Sequence, residues 1–409
     1  MAIFSIALLL TILLLWCLIA ERTASLPVTG PMVMTAGGLL LATTGIADTS
    51  NAHQAAHVLA ELTLVIVLFA DAAKINLQSL KKANNQPLRM LGLGLPGAML
   101  VGMLAGAWLF PELGFWSIAL LAAILAPTDA ALGEAVVSSE SVPPVTRQTL
   151  SVESGLNDGL VVPVVLMLAC GANISHNIGS ATEWIALGAQ QIGFGVIAGV
   201  LVGLVGAYLL RTAMDAGTLG ESWQGIASLA LAGLAWSIAE AVHGNGFVSA
   251  FLAGLVFGNK LDRPAHFLFE FSEAEGHLLV LATFALFGAV LLPEALAHLD
   301  GRVVLYAILS LTVVRMLPVI MSLLGTTSSW SERFFLGWFG PRGLASILFI
   351  LLVGESGQIP HYELLTTIVF TTVALSILLH GVTAGPLATL YGKHRSADTV
   401  QDTQIDAHQ

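Results

Sequence analysis

Apolar stretches long enough to cross a bilayer recur along nearly the whole chain, separated by short polar or Pro/Gly-containing breaks. A helix needs roughly 20 mainly apolar residues to cross the hydrocarbon core of a membrane. Hydrophobic residues make up 56% of the 409-residue chain and charged residues only 10%, which is too few for a mixed-charge surface facing water. The sequence therefore predicts an all-α membrane protein whose helices face lipid.

Cutting the chain at these breaks gives thirteen predicted transmembrane spans. They cover residues 3–20, 26–44, 56–73, 88–110, 115–133, 150–170, 184–210, 222–241, 246–258, 277–293, 302–324, 333–353 and 362–388. Residues 1–391 are thus predicted to form a single transmembrane transporter domain, and residues 392–409 a short, loose, polar cytoplasmic tail. The first span has no basic leader and no small-residue cleavage site, so we expect it to be retained.

The positive charges give these spans an orientation, because Lys and Arg in short loops accumulate on the cytoplasmic side of a membrane. With the N-terminus outside, twelve of the fifteen basic residues fall in inside loops and Arg302 falls outside, while Arg315 and Arg342 lie within spans. The pattern predicts an external N-terminus and a cytoplasmic C-terminus. An odd number of spans also permits two six-helix halves of opposite orientation with one extra helix, the inverted repeat of many transporters.

Several function classes are disfavoured. The net charge is −11 and no dense Lys/Arg run occurs, so no nucleic-acid partner is expected. Cys17 and Cys170 lack the spacing of a disulfide framework or a metal site. No Gly-Lys-Thr/Ser nucleotide loop occurs, so this chain alone cannot couple transport to ATP, and no cofactor is predicted.

Charged groups inside apolar spans are costly and mark functional sites. In the fifth span, Pro127 precedes Thr128 and Asp129. Proline removes a backbone donor and disfavours the helical conformation at the residue before it, so we predict that this helix breaks beside the acid. Unwound carbonyls and half-helix ends coordinate small cations in transporters with broken helices.

The sixth span opens with a second polar cluster. Ser154 and Asp158 are four residues apart and share one helix face, and Glu153 and Asn157 share the next. Oxygen ligands suit a hard cation, and the candidates are Thr128, Asp129, Ser154, Asn157 and Asp158. In the alternative interpretation, Asp129 and Glu153 cap helix ends near the cytoplasmic surface.

Two arginines lie late in the chain at membrane depth. Arg315 is in the middle of its span, and Arg342 lies in the interruption Gly340-Pro-Arg-Gly343. A buried arginine needs a carboxylate partner, and Glu153 is the natural one, which leaves Asp158 and Asp129 free to exchange cation and proton. Alternatively, the stretch around Arg342 is an interfacial loop.

These motifs resemble the bacterial branch of the cation:proton antiporter-1 family, the sodium/proton exchangers. Thr128-Asp129 in a broken helix, Glu153-Ser-Gly-Leu-Asn-Asp158 and Gly340-Pro-Arg-Gly343 carry the resemblance, and residues 244–254 add a weaker match. The resemblance implies two broken helices that cross, a homodimer with a fixed scaffold and a moving core, and a place in the bacterial inner membrane. It also implies exchange of Na⁺, Li⁺ or K⁺ for H⁺ in support of pH homeostasis, rather than an enzyme activity.

By motif, the resemblance assigns Asp158 as the main cation and proton ligand and gives Ser154, Thr128 and Asp129 supporting roles as ligands of the transported metal ion. Asn157 stands where electrogenic relatives carry a second acid, which implies electroneutral 1:1 exchange. Glu153 would form a structural ion pair, with Arg315 the preferred partner and Arg342 the second choice.

The chain departs from the family pattern at two places. Ala130 stands where the family usually has a proline, so the unwinding of the fifth helix can differ. Asp71 lies at the end of the third span, where it is either a further gate residue or an interfacial partner of Lys74.

Weaker signals concern packing and pH. The glycines at 195, 199 and 203 allow close helix approach, either within the chain or at a dimer seam. Among eleven histidines, His243 and His380 are the two that merit a test as pH sensors.

Three alternatives remain beside sodium/proton exchange. A K⁺/H⁺ exchanger of the same fold would use the same ligands. An intramembrane aspartyl protease would pair Asp129 with Asp158 as acid and base, but it needs Gly-x-Gly-Asp where this chain has Gly-Leu-Asn-Asp. A cation channel is disfavoured because no repeated carbonyl filter is recognisable.

Overall fold

The computed structural model describes residues 2–20, 22, 27–43, 52–75, 77, 85–172, 181–261, 266–355 and 359–406. The regular elements in these ranges are all helical, which confirms the predicted all-α class. The helices are α1 (Ala2–Ile19), α2 (Gly30–Thr43), α3 (Ala52–Lys74), α4 (Gln86–Leu109), α5 (Phe115–Ile124), α6 (Ala130–Val137), α7 (Pro144–Ala172), α8 (Ala181–Asp215), α9 (Glu221–Ala241), α10 (Gly246–Lys260), α11 (His266–Leu286, continuing through a π-helical turn to Ala297), α12 (Gly301–Ser322), α13 (Trp330–Trp338), α14 (Leu344–Glu355) and α15 (Tyr362–Asp406).

Among the described residues, seven helices are long and apolar enough to span a membrane, and five further apolar helices are shorter. The number of thirteen spans stays a prediction. At the C-terminus, α15 continues to Asp406 through most of the segment that was predicted to be a loose polar tail. After Gly392 that segment contains neither glycine nor proline, so no residue in it breaks the helix.

Two helices are interrupted where the sequence predicts it. The chain leaves helical geometry between α5 and α6, around Pro127, and again between α13 and α14, around Pro341. The two interruptions cross, and the Asp129 backbone N–H donates to the Pro341 carbonyl at 2.8 Å. We call residues 125–129 the first break and residues 339–343 the second break.

The order of the helices repeats on either side of α8. Four helices, one broken pair and one further helix precede α8 (α1–α4, α5/α6 and α7), and the same order follows it (α9–α12, α13/α14 and α15). This order is that of the predicted repeat with one extra helix between its halves.

The helices pack as two groups with the site between them. One group contains α1–α3 and α8–α11, and the other contains α4–α7 and α12–α15. The two groups meet where α3 contacts α7 and α14, and where the end of α11 contacts α15.

The glycines of α8 lie against the backbone of α10. A Cβ atom at Gly195 would lie 2.7 Å from the Asn245 carbonyl oxygen, and one at Gly203 would lie 2.7 Å from that of Ala253. Contacts this short exclude a side chain, so the glycines spaced four residues apart in α8 serve helix packing within the chain.

Candidate cation site

Asp129 joins the two breaks. One carboxylate oxygen accepts the Leu132 backbone N–H at 3.0 Å and so caps α6, and the other accepts the backbone N–H of Leu344 at the start of α14. A carboxylate is stabilised at a helix N-terminus, where backbone N–H groups lack partners. Asp129 is therefore a buried cap of two half-helices, and the break forms although Ala130 stands in the place of the family's proline.

Arg342 holds the first break from the opposite side. Its Nη1 donates to the carbonyl oxygen of Pro127 at 2.8 Å and to that of Ala126. These carbonyls have no intrahelical partner because the helix ends at Ile124. The Arg342 guanidinium is thus directed at unwound backbone, whereas Glu153 pairs with Arg315.

Glycine is required at both ends of the second break. A Cβ atom at Gly343 would collide with the Asp129 carboxylate, and one at Gly340 would collide with the Arg315 guanidinium. The Gly-Pro-Arg-Gly motif therefore combines two close approaches with a residue that cannot continue the helix.

We predict that Gly343→Ala lowers the free energy of unfolding by about 1–3 kcal/mol, because the added methyl group displaces the carboxylate that caps both half-helices. Thermal unfolding in detergent measures the change. Gly233→Ala in α9 is the matched control, since a Cβ there meets nothing within 4 Å. Equal melting temperatures for the two variants would contradict the close approach.

Glu153 and Arg315 form a bidentate ion pair between α7 and α12. Arg315 Nη1 donates to Oε1 at 2.6 Å and Nη2 donates to Oε2 at 2.7 Å. Both side chains are at most 2% exposed. The geometry places Glu153 with Arg315, the preferred partner from the sequence, and this pairing uses both oxygens of the carboxylate.

Behind the cavity, a short hydrogen-bond chain fixes α7 against the first break. Asn157 Nδ2 donates to Thr128 Oγ1 at 2.6 Å, and Thr128 Oγ1 lies 3.1 Å from Ser154 Oγ. All three residues are buried, but only Ser154 lines the cavity. Thr128 and Asn157 therefore lie behind Ser154 and fix the position of its hydroxyl.

Asp158 is one of several residues with a buried side-chain polar atom that has no hydrogen-bond partner. Its Oδ1 atom is buried, and no described residue donates a hydrogen bond to it. A buried carboxylate oxygen without a donor is costly, and a proton or a cation supplies the missing charge. Asp158 lies within one helical turn of Ser154, so an ion there meets a hydroxyl as well as the carboxylate.

Asp158 lines a cavity of about 450 Å³. Among its lining residues are Asp158, Ser154 and Asp129, which the sequence proposed as cation ligands. Asp71 and Lys74 also line the cavity, and Lys74 Nζ lies 3.8 Å from Asp71 Oδ1. Asp71 therefore faces the cavity and forms an ion pair with Lys74 at the same time.

Sequence reasoning missed one pair at this cavity. Glu134 Oε2 lies 3.3 Å from His277 Nδ1, which connects α6 to α11 across the gap between the two helix groups. Both residues also line a second cavity of about 780 Å³. The available signal was an acidic residue just over one turn after Asp129 in an apolar helix.

The chain is similar to known proteins over most of its length. The family described as "Sodium/hydrogen exchanger, transmembrane" matches residues 6–390. A K(+)/H(+) antiporter NhaP2 of Shewanella oneidensis is 26% identical over 340 residues, which are 83% of this chain and 58% of that protein. A Na(+)/H(+) antiporter of Schizosaccharomyces pombe is 25% identical over 353 residues, or 75% of each chain. The chain thus spans less than two thirds of the NhaP2 protein.

Solved structures share the fold. The sodium proton antiporter MjNhaP1 from Methanocaldococcus jannaschii at pH 8 matches with a TM-score of 0.76 at 21% identity, over 95% of this chain and 98% of that one. A three-dimensional electron-microscopy map of the same antiporter gives a TM-score of 0.72.

Proposed function

The chain belongs to the sodium/hydrogen exchanger family, and from this premise we propose that it is a secondary antiporter exchanging a small monovalent cation for H⁺. The observation that carries the proposal is Asp158, a carboxylate that lines a cavity and has a buried oxygen without a donor. Such a group binds either a proton or a cation, but not both at once. That exclusivity is the chemical requirement for exchange.

The roles divide between titrating and fixed charges. Asp158 alternately holds the proton and the cation, with Ser154 Oγ as a neutral ligand beside it. The Asp129 charge stays in place because both of its oxygens accept N–H groups of half-helices. The Glu153 charge is held by Arg315. One carboxylate then titrates in each cycle.

Na⁺ is the first candidate for the transported cation, with Li⁺ and K⁺ as alternatives that carboxylate and hydroxyl oxygens also accept. K⁺ has separate support, because a relative that matches 83% of the chain is named a K⁺/H⁺ antiporter. Proteoliposomes containing a pH-sensitive dye, challenged with each cation in turn, test both choices. Fluorescence that responds to none of the three cations would refute exchange.

We predict electroneutral 1:1 exchange, because Asn157 is an amide and leaves one titrating carboxylate on α7. The exchange rate in sealed proteoliposomes should not change when a potassium ionophore imposes a membrane potential, with Na⁺ as the substrate and K⁺ shown to be inert. A transport current on a supported membrane would contradict this and point to Asp71 or Asp129 as a second titrating group.

The cellular setting is proposed on the family and on the charge pattern. The protein would act in the bacterial inner membrane, with an external N-terminus, a cytoplasmic C-terminus and a homodimeric assembly, to support pH and cation homeostasis. Residues 1–391 would form one transporter domain. Accessibility of single cysteines introduced at the two ends, labelled from each side of intact cells, tests the orientation.

A further inference from the structure

His380 is a buried side chain that the proposed exchange cycle does not use. It lies on α15, 1% exposed, with its ring 5.2 Å from that of Trp338. Its Nε2 atom is 3.0 Å from the Trp338 carbonyl oxygen, at the end of α13. That carbonyl also accepts the Gly340 backbone N–H at 2.8 Å, so the histidine secures the point where the second break begins.

A second contact of His380 reaches the far side of the same break. Its Nδ1 atom lies 3.1 Å from Ser376 Oγ, and that oxygen accepts the Arg342 backbone N–H at 2.7 Å. A helix interruption leaves backbone groups without intrahelical partners. His380 and Ser376 therefore satisfy one carbonyl before the break and one N–H within it.

The contact with the Trp338 carbonyl requires one tautomer of the ring, although Nδ1 also lies 3.1 Å from the Ser376 carbonyl oxygen. The Trp338 carbonyl only accepts, so Nε2 carries the hydrogen. The Ser376 hydroxyl accepts from Arg342 and donates its own hydrogen to the lone pair of Nδ1. A neutral ring with hydrogen on Nε2 thus completes a chain from Arg342 N–H through Ser376 and His380 to the Trp338 carbonyl.

The break that His380 secures carries contacts of the cation site. Arg342 donates hydrogen bonds to the carbonyls of Ala126 and Pro127, and the Leu344 N–H donates to the Asp129 carboxylate. We propose that His380 is a positioning residue for exchange, which sets the shape of the second break and through it the first break. This inference rests on the proposed antiport and adds a residue outside the cavity to the machinery.

The test compares cation affinity among three purified variants in proteoliposomes. His380→Ala removes the ring's contacts with the Trp338 carbonyl and with Ser376. Ser376→Ala removes the hydroxyl's contacts with His380 Nδ1 and with the Arg342 N–H, with a much smaller change in volume. Thr383→Val is the matched control, because Thr383 lies on α15 with His380 and accepts a 3.0 Å hydrogen bond from Trp338 Nε1. The substitution removes that bond without touching the backbone of the second break.

We expect the apparent KM for the cation to rise about 5- to 10-fold in His380→Ala and Ser376→Ala, a change of the size that one buried hydrogen bond contributes. The KM of Thr383→Val should equal that of the parent, although all three melting temperatures fall. If His380→Ala does not fold, Ser376→Ala carries the test. Parent-like KM in Ser376→Ala, or an equal rise in Thr383→Val, would overturn the positioning role while leaving antiport intact.

A spectroscopic readout is independent of transport. In protein labelled with ¹⁵N-histidine, the His380 signals are those that disappear in His380→Gln. At pH 7 these signals should show the neutral tautomer with hydrogen on Nε2. Hydrogen on Nδ1 would overturn the hydrogen-bond chain and the proposal with it. A parent protein that shows this tautomer but moves no cation would instead refute the proposed function.

Discussion

Replacing Asp158 by asparagine should abolish cation/proton exchange while leaving the protein folded. The amide is nearly the same size as the carboxylate, but it neither takes up a proton at working pH nor supplies a negative charge to the cation. Dye-loaded proteoliposomes containing the variant should respond to Na⁺ no more than empty liposomes do. Size-exclusion chromatography and thermal unfolding would show that the fold is retained.

The control for this prediction is Glu134→Gln, which makes the same chemical change at an exposed position of the same cavity. It should retain exchange, because Glu134 lies at the contact with His277 and its oxygens are open to water. Exchange by Asp158→Asn at a rate near that of the parent would remove Asp158 from the cycle and transfer the role to another acid.

Removing Glu153 should cost about 3–5 kcal/mol of stability, because it leaves the Arg315 guanidinium buried without a counter-charge. Glu153→Ala and Arg315→Ala should each lower the melting temperature and the yield of folded protein. The double variant should be no less stable than the worse single variant, since each substitution already removes the same bidentate pair. Thermal unfolding of the parent, the two single variants and the double variant in detergent completes this double-mutant cycle.

A surface pair serves as the control for this cycle. Arg302 Nη1 lies 2.8 Å from Glu112 Oε1, and both side chains are more than a third exposed to solvent. Water screens that pair, so Glu112→Gln should shift the melting temperature far less than Glu153→Ala does. Additive losses in the Glu153/Arg315 double variant would mean that the two groups contribute separately.

The sequence carried much of the fold because the cost of exposing a backbone or a charge to lipid is local. Apolar runs had to be helices, Pro127 and the Gly340–Gly343 motif were expected to interrupt them, and the acids beside those interruptions were therefore candidates for function. These inferences need no knowledge of which helix neighbours which. The helices that contain the two breaks were identified for the same reason.

Partnerships across the fold were harder to predict from the sequence. Arg315 and Arg342 are both buried cations, and the sequence preferred Arg315 for Glu153 but could not assign Arg342 to the carbonyls of the first break. The double capping by Asp129 was also hidden, because the N–H of Leu344 comes from a helix 215 residues away.

The sequence by itself therefore determined the all-helical membrane class of the protein, the two interruptions and the acids near them, because each of these follows from a local cost in a medium without water. Only the tertiary structure decided that Thr128 and Asn157 lie behind the cavity and that His380 secures the second break. Those assignments depend on which faces of distant helices meet, and helix packing is set by many small close approaches, such as those of the α8 glycines, that no single segment encodes.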